Sequence, residues 1–249
     1  MKPTLLVVAC ACLLVPVLRA QGRGGPPPTA RAAAPADLTG YWVSIIVDEW
    51  RFRVSPQKGD IPYLPINPRA RQAAMAWDPA KDEAEGNACK AYGAVGVMQR
   101  PGRLHISWAD DNTLKVEADA GTQTRLLHFG QATTAPSEPT WQGYSTAQWQ
   151  MPGGRGRGPA PAVPRWGTLK VVTTHMKPGY IRKNGVPYSG DAIQTEYINL
   201  LTGAEGDTYF VDTAEVEDPA NLTQPFVRSY QFKKQPDASG WEPTPCWTR

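Results

Sequence analysis

The sequence lacks the common signatures of catalysis and of cofactor binding. It contains no GxSxG motif, no HExxH motif and no GxGxxG motif between a strand and a helix. Histidine is scarce, and only His105, His128 and His175 occur. A three-histidine metal site needs all three side chains to converge, and the strand register preferred below places His105 and His128 on opposite faces of one sheet. We therefore expect neither a metal nor a cofactor.

Concentrated charge and long apolar segments are also missing from most of the chain. The net charge is only +3 over 249 residues, and several arginines lie in low-complexity stretches. Because nucleic-acid binding needs basic side chains gathered on one face, we expect no nucleic-acid partner. Beyond the first twenty residues no segment is apolar enough to cross a bilayer. The sequence therefore predicts no stable membrane insertion.

The first twenty residues, MKPTLLVVACACLLVPVLRA, have the pattern of a secretory signal peptide. A lysine precedes an apolar stretch from Leu5 to Leu18, and Ala20 is a small residue at the expected cleavage point. A lipid attached at Cys10 is the alternative, but the apolar run before it is short. The pattern predicts cleavage after Ala20 and a periplasmic or secreted protein.

Two cysteines, Cys89 and Cys246, remain after that cleavage. An exported chain meets an oxidising environment, and an even number of cysteines without CxxC spacing favours a disulfide over a metal site. Such a bridge would hold the C-terminal segment WEPTPCWTR against the body of the protein. Two separate buried thiols are the alternative.

Two segments rich in proline, glycine and arginine have little to bury. Residues 21–37, after the signal peptide, predict a disordered leader. Residues 151–165, MPGGRGRGPAPAVPR, have the same character and predict a mobile loop. Residues 38–249 suit a single domain that contains this loop, because all-β domains can reach this length without dividing.

The ordered segments are mostly strand candidates, eight or nine in all, and most neighbours in sequence are expected to be neighbours in the sheet. One short helix is predicted in a proline-rich crossover near the N-terminus, with Asn67 as its cap and Pro68 at its first position. Its expected packing face consists of Ala70, Ala73, Ala74 and Trp77.

An all-β chain of this kind closes most easily as a single antiparallel up-and-down barrel, because closure removes exposed strand edges. A two-sheet β-sandwich is the alternative.

Residues 103–129, RLHISWADDNTLKVEADAGTQTRLLHF, predict three strands joined by two turns. In the turns ADDNT and ADAGT, a residue that tolerates left-handed backbone, Asn112 or Gly121, precedes a threonine. This similarity favours three-residue loops at both turns.

In the preferred register His105 faces Glu117, and Lys115 faces Arg125, which is unfavourable unless an anion lies nearby. A two-residue second loop is the alternative, and it would replace Arg125 by His128 on the polar face.

The preferred register gathers His105, Glu117, Gln123 and Arg125 into a polar band on one face of the sheet. Any half-buried antiparallel sheet has a polar face. These four residue types would, however, also orient a polar group of a ligand inside a barrel. If the protein is an enzyme, His105 would be the acid or base, Glu117 would orient it, and Arg125 would stabilise negative charge.

Three functions are consistent with these patterns. The first is binding of a small apolar or amphipathic molecule in the barrel lumen, with Trp42, Trp108 and Tyr197 adding aromatic contacts to the polar band. The second is a cofactor-free isomerase, cyclase or lyase that uses the same lumen. The third is a structural protein of the cell envelope.

The segment DLTGYW resembles the opening strand of lipocalin-type barrels, with Gly40 and Trp42 at the positions of their Gly-x-Trp motif. More broadly, AWDPAKDEAEGNACKAYG, residues 101–125 and VEDPANLTQPFVRSYQFKK resemble exported bacterial β-rich proteins of unestablished activity. The resemblance covers roughly residues 38–246 and implies an exported, calycin-like domain. It implies no catalytic residues. The helical crossover of residues 55–100 departs from the ordinary lipocalin pattern.

Overall fold

The computed structural model describes residues 28–47, 49–130, 135–151 and 167–248. The predicted signal peptide lies outside the described residues, and so does almost all of the predicted loop at 151–165. The described chain forms a closed β-barrel of nine strands, accompanied by a two-stranded hairpin and several short helices. The predicted all-β barrel is confirmed, and the sandwich alternative is wrong.

The strands are numbered in chain order. They are β1 (Gly40–Ile45), β2 (Arg103–Asp110), β3 (Thr113–Ala118), β4 (Gln123–Phe129), β5 (Tyr144–Gln150), β6 (Thr168–Thr174), β7 (Gly179–Arg182), β8 (Val186–Tyr188), β9 (Ile193–Thr202), β10 (Thr208–Glu217) and β11 (Phe226–Gln235).

The barrel strands follow the chain around the ring, and β11 pairs with β1 to close it, while β7 and β8 form a separate hairpin. Neighbours are antiparallel except β4 and β5, which run parallel. Each antiparallel pairing reverses the strand direction, so a ring of nine strands closes only with an odd number of parallel pairs. The barrel is therefore mixed, and the prediction of a purely antiparallel barrel is wrong.

Strands β2 and β3 pair as predicted, with His105 opposite Glu117. Strands β3 and β4 do not take the preferred register, because Lys115 lies opposite Leu126 rather than opposite Arg125.

The second turn explains this difference. It places two residues between Asp119 and Thr122, whose N–H donates to the Asp119 carbonyl at 3.1 Å. Gly121 in this turn has a φ of +76°, and an added Cβ there would collide with the ring of Tyr92. The protein therefore adopts the alternative register, and a shift of one residue moves Arg125 to the other face of the sheet.

The helices are α1 (Ala30–Ala33), α2 (Trp50–Val54), α3 (Pro68–Ala76), α4 (Pro79–Ala84), a 3-10 helix (Ala88–Tyr92) and α5 (Ala94–Val97). Only α3 was predicted. The other helices have four to six residues, which is too short for an apolar periodicity to appear in the sequence.

Helix α3 begins as its sequence predicts. The Asn67 side chain accepts a hydrogen bond from the Ala70 N–H, and Pro68 occupies the first helical position. Ala70 and Ala74 are buried, whereas Ala73 is exposed. The helix packs on β8 and brings Trp77 to the β7–β8 hairpin.

Residues 28–37 of the predicted leader are among the described residues, and they include helix α1. Helix α1 is capped by the Thr29 side chain. The Ala30 N–H donates to Asn112 Oδ1 at 2.9 Å, and the Arg31 N–H donates to the Asp111 carbonyl at 3.0 Å. The β2–β3 turn thus provides partners that the composition of the leader could not reveal.

One end of the barrel carries a cap, formed by the crossover between β1 and β2 together with the β7–β8 hairpin. The cap has its own apolar cluster, which includes Leu64, Ile66, Ala70, Ile181 and Phe226. Because this cluster joins the crossover to the start of β11, it holds the cap in place over the barrel end.

The predicted disulfide between Cys89 and Cys246 is confirmed. It ties the C-terminal segment to the 3-10 helix of the cap. Hydrogen bonds also attach this segment to the β3–β4 turn, because the Thr244 N–H donates to the Asp119 carbonyl and Thr122 Oγ1 donates to the Thr244 carbonyl, both at 2.9 Å.

Removing this disulfide with the double substitution Cys89→Ala and Cys246→Ala should lower the free energy of unfolding. The bridge joins residues 157 positions apart, and closing so long a loop restricts the unfolded chain by about 2–5 kcal/mol. Urea unfolding with and without reductant measures the loss. Reductant should destabilise the wild type but not the double variant, and equal stability of the two oxidised proteins would contradict the prediction.

Candidate functional site

The barrel lumen is filled by side chains. Residues alternate between the two faces of each strand, and the inward positions form the main apolar core. Its largest members include Trp42, Phe129, Phe210 and Phe232. Trp42 is fully buried, and its indole N–H donates to the Leu38 carbonyl at 2.9 Å. The lumen predicted for a ligand is thus occupied by the protein itself along this stretch.

A buried ionic cluster occupies the half of the lumen nearer the cap. Arg125 donates to both carboxylate oxygens of Glu196, at 2.8 and 2.6 Å, and to Thr173 Oγ1 at 3.3 Å. Asp212 lies beside this pair. Burial, followed by the negative charge of Glu196, raises the pKa of Asp212 well above its usual value and favours its neutral form.

The predicted polar band is divided between the two faces of the sheet. His105 and Glu117 meet on the outer face, where His105 Nδ1 lies 2.9 Å from Glu117 Oε2. The His105 ring stacks on Tyr41 at 4.4 Å and meets Trp241 edge-on at 6.3 Å. This cluster attaches the C-terminal segment to the barrel wall, with Arg125 on the opposite side of that wall.

Gln123 lies at the capped end of the barrel, at the start of β4. Its amide donates to the Gly121 carbonyl at 2.6 Å, and its side-chain oxygen accepts from Gln142 Nε2 at 2.8 Å. Gln123 therefore joins the second turn of the β2–β4 segment to the β4–β5 connection.

The two remaining aromatic residues of the predicted site are not adjacent to the polar band. Trp108 is partly buried at the end of the barrel away from the cap, 5.5 Å from the ring of Phe129. Tyr197 lies on the outer face with Lys170 Nζ 5.7 Å from its ring centre. The predicted ligand-binding residues therefore do not converge on one place.

A cavity of about 800 Å³ lies at the capped end, outside the lumen. Its walls come from the crossover near residues 54–58, from Trp77 and Tyr92, from the end of the β7–β8 hairpin, and from Trp247 in the C-terminal segment. Its size is within the range of small-molecule sites.

Two buried cations line this cavity, Arg100 and Lys183. Lys183 Nζ lies 4.2 Å from the ring centre of Trp247 and 5.7 Å from that of Tyr92. Burial, together with the positive charge of Arg100, lowers the pKa of Lys183 to about 8. Burial also lowers the pKa of Arg100, to about 10.

Local geometry fixes the aromatic walls of the cavity. Gly185 has a φ of +84° in the turn between β7 and β8, and an added Cβ would collide with Trp77. The Trp77 indole N–H donates to Asp82 Oδ2 at 2.8 Å. Trp247 is held by the adjacent disulfide and remains 60% exposed.

Sequence reasoning did not find this cavity, because its walls come from distant parts of the chain. The one available signal was the disulfide, which predicted that the segment containing Trp247 would lie on the body of the protein. Neither Arg100 nor Lys183 belongs to a recognisable motif.

Within the described residues, no group of three or more histidine, cysteine, aspartate or glutamate side chains is arranged to hold a metal ion. The helices described here are all too short or too polar to cross a membrane. Comparison with protein-family models, with curated proteins and with solved structures finds no match to this chain.

The substitution Asp212→Asn should remove a pH dependence from stability. The folded wild type keeps a proton on Asp212 at pH values where the unfolded chain, near the ordinary value of 3.8, has lost it. Wild-type stability should therefore fall as the pH rises from about 4 through the raised pKa of Asp212. The stability of Asp212→Asn relative to wild type should increase over the same range.

Urea unfolding of both proteins between pH 5 and 8 measures this difference. Asp207→Asn is a suitable control, because the Lys233 ion pair lowers the pKa of the Asp207 carboxyl. The difference in the free energy of unfolding between Asp207→Asn and wild type should therefore stay constant in this pH range. Parallel curves for wild type and Asp212→Asn would show that Asp212 is charged in the folded state.

Proposed function

We propose that this β-barrel protein binds a small amphipathic molecule in the cavity at the capped end of the barrel. The observation that carries the proposal is a cavity of about 800 Å³ with aromatic walls on one side and buried cations on another. Ligand sites commonly combine a mainly apolar surface with a few polar groups that fix orientation. The proposal keeps the ligand class inferred from the sequence but moves the site out of the lumen.

Trp247 supports a role in binding. A tryptophan that is 60% exposed beside a cavity leaves apolar area for a ligand to cover, and aromatic side chains contribute strongly to such contacts. The disulfide at the preceding residue restrains this side chain before the ligand arrives. Restraint of this kind reduces the entropy lost on binding.

We also propose that the protein acts in the periplasm or outside the cell. The disulfide supports an oxidising compartment, and the signal-peptide pattern of residues 1–20 points the same way.

The enzyme alternative receives less support from the geometry. Its acid-base pair, His105 and Glu117, lies on the outer face of the barrel, whereas Arg125 is buried in the lumen and paired with Glu196. The three groups cannot act on one substrate in this arrangement. The following experiment distinguishes ligand binding from a purely structural role.

Trp247→Ala should weaken the binding of an amphipathic probe by about tenfold, because it removes one aromatic wall of the cavity. Tryptophan fluorescence and direct titration with N-phenyl-1-naphthylamine, a fatty acid and a terpenoid alcohol measure the affinities. Trp50→Ala is the matched control, since Trp50 is also exposed but does not line the cavity. His105→Ala should likewise leave the affinities unchanged.

Absence of a saturable response from the wild type to every probe would favour the structural role. An affinity that is lost in His105→Ala but kept in Trp247→Ala would place the site on the outer face. Native mass spectrometry of protein purified from its source would identify a retained ligand directly.

A further inference from the structure

Arg100 is a buried charge for which the described residues supply no hydrogen-bonding counterion. Its side chain is 5% exposed and lines the cavity. Within the described part of the chain, its buried Nε and Nη2 atoms have no hydrogen-bond partner. Burying a cation without a partner is costly. With a pKa of about 10, Arg100 nevertheless keeps its charge at neutral pH.

The surroundings of Arg100 add positive charge. Lys183 lies in the same cavity wall, and Lys58 lies at the rim. Behind Arg100, the charges of Arg53 and Arg182 also lower its pKa. The described residues that line the cavity include no aspartate or glutamate.

Two carboxylates of the cap, those of Glu49 and Asp82, are engaged elsewhere. Glu49 pairs with Arg182 at 3.5 Å and with Arg228 at 2.9 Å. Asp82 accepts hydrogen bonds from Trp77, Lys90 and Tyr180. Neither is positioned to neutralise Arg100.

We infer that the cavity binds a small organic anion, whose acidic group receives hydrogen bonds from Arg100 and lies near Lys183 while its apolar part contacts Trp77 and Trp247. The inference rests on the proposed function and names the class of its ligand. A guanidinium presents two parallel N–H donors to the oxygens of a carboxylate, phosphate or sulfonate. Such a group would supply a counterion for Arg100, for which the described residues provide none.

Two fluorescent probes of nearly the same shape separate this inference from the general proposal. 8-Anilinonaphthalene-1-sulfonate carries one sulfonate, and N-phenyl-1-naphthylamine is its uncharged counterpart. The wild type should bind the sulfonate at least about tenfold more tightly, since a charge-assisted hydrogen bond contributes on that scale. Arg100→Met should remove this preference, so that the variant binds the two probes with about equal affinity. Arg71→Met, on the exposed side of α3, controls for the loss of one positive charge.

Each outcome decides one of the two ideas. Equal wild-type affinity for both probes would overturn the anion inference and leave the proposed function standing. Failure of both probes to bind saturably would overturn both. A sulfonate preference that survives in Arg100→Met, or that disappears equally in Arg71→Met, would also overturn the role of Arg100.

Thermal unfolding without ligand gives an independent readout. If Arg100 stabilised the folded protein, Arg100→Met would melt at a lower temperature than wild type. If Arg100 instead binds a ligand, the variant should melt at a higher temperature than wild type, by about 2 °C or more. The reason is that replacing an unpaired buried charge with an apolar side chain is stabilising. A decrease of that size would contradict the inference.

The pH dependence of binding tests the second cation. Arg100 and Tyr92 face Lys183 across the cavity, Lys58 lies at its rim, and Asp82 and Lys90 line the smaller adjoining cavity. Because the pKa of Lys183 is about 8, affinity for the sulfonate should fall as the pH rises from 7 to 9, and the uncharged probe should show no such change. In Lys183→Met the decrease should be absent. A flat wild-type profile would exclude Lys183 from the site.

Discussion

The strict alternation of side chains along each strand is the constraint on which the rest of this structure depends. In a closed ring, every second residue must point into a lumen of limited width. Here those positions carry large aromatic and aliphatic side chains near the end away from the cap, and the Arg125–Glu196 pair with Asp212 nearer to it. A lumen filled in this way holds the barrel together. The proposed binding site accordingly lies outside the ring.

The cap provides most of the walls of that proposed site. A crossover of short helices and the β7–β8 hairpin cover one end of the barrel, and their second apolar cluster does not fill all the space beneath the C-terminal segment. The disulfide couples this segment to the 3-10 helix. Stability and site formation are therefore linked, since the bond that restricts the unfolded chain also places Trp247 in the cavity wall.

Two buried arginines, Arg125 and Arg100, differ in their ion pairing. Arg125 pairs with a bidentate carboxylate and a hydroxyl, although its buried Nε has no hydrogen-bond partner among the described residues. Arg100 lines the cavity without a carboxylate partner among the described residues, and its Nε and Nη2 donors are buried. A charge whose desolvation is not offset within the folded protein is more typical of a binding group than of a structural one.

The sequence by itself determined the all-β class, the closed barrel, the α3 helix with its Asn67 cap, and the disulfide, because each depends on local patterns or on a simple count. Strand alternation also placed His105 opposite Glu117. Alternation alone could not decide which face is inside. It also left the β3–β4 register open, because a two-residue turn and a three-residue turn both suit ADAGT. That one-residue difference moved Arg125 from the polar band into the lumen.

Only the tertiary structure decided where a ligand could bind. The walls of the cavity are separated by up to roughly 190 positions in sequence, from Val54 to Thr248, and no local pattern relates them. Whether Arg100 is paired or unpaired depends equally on which distant carboxylates reach it. Burial and pairing are properties of the packed molecule, and for this reason a sequence rich in informative strands carried no signal for its candidate site beyond the disulfide.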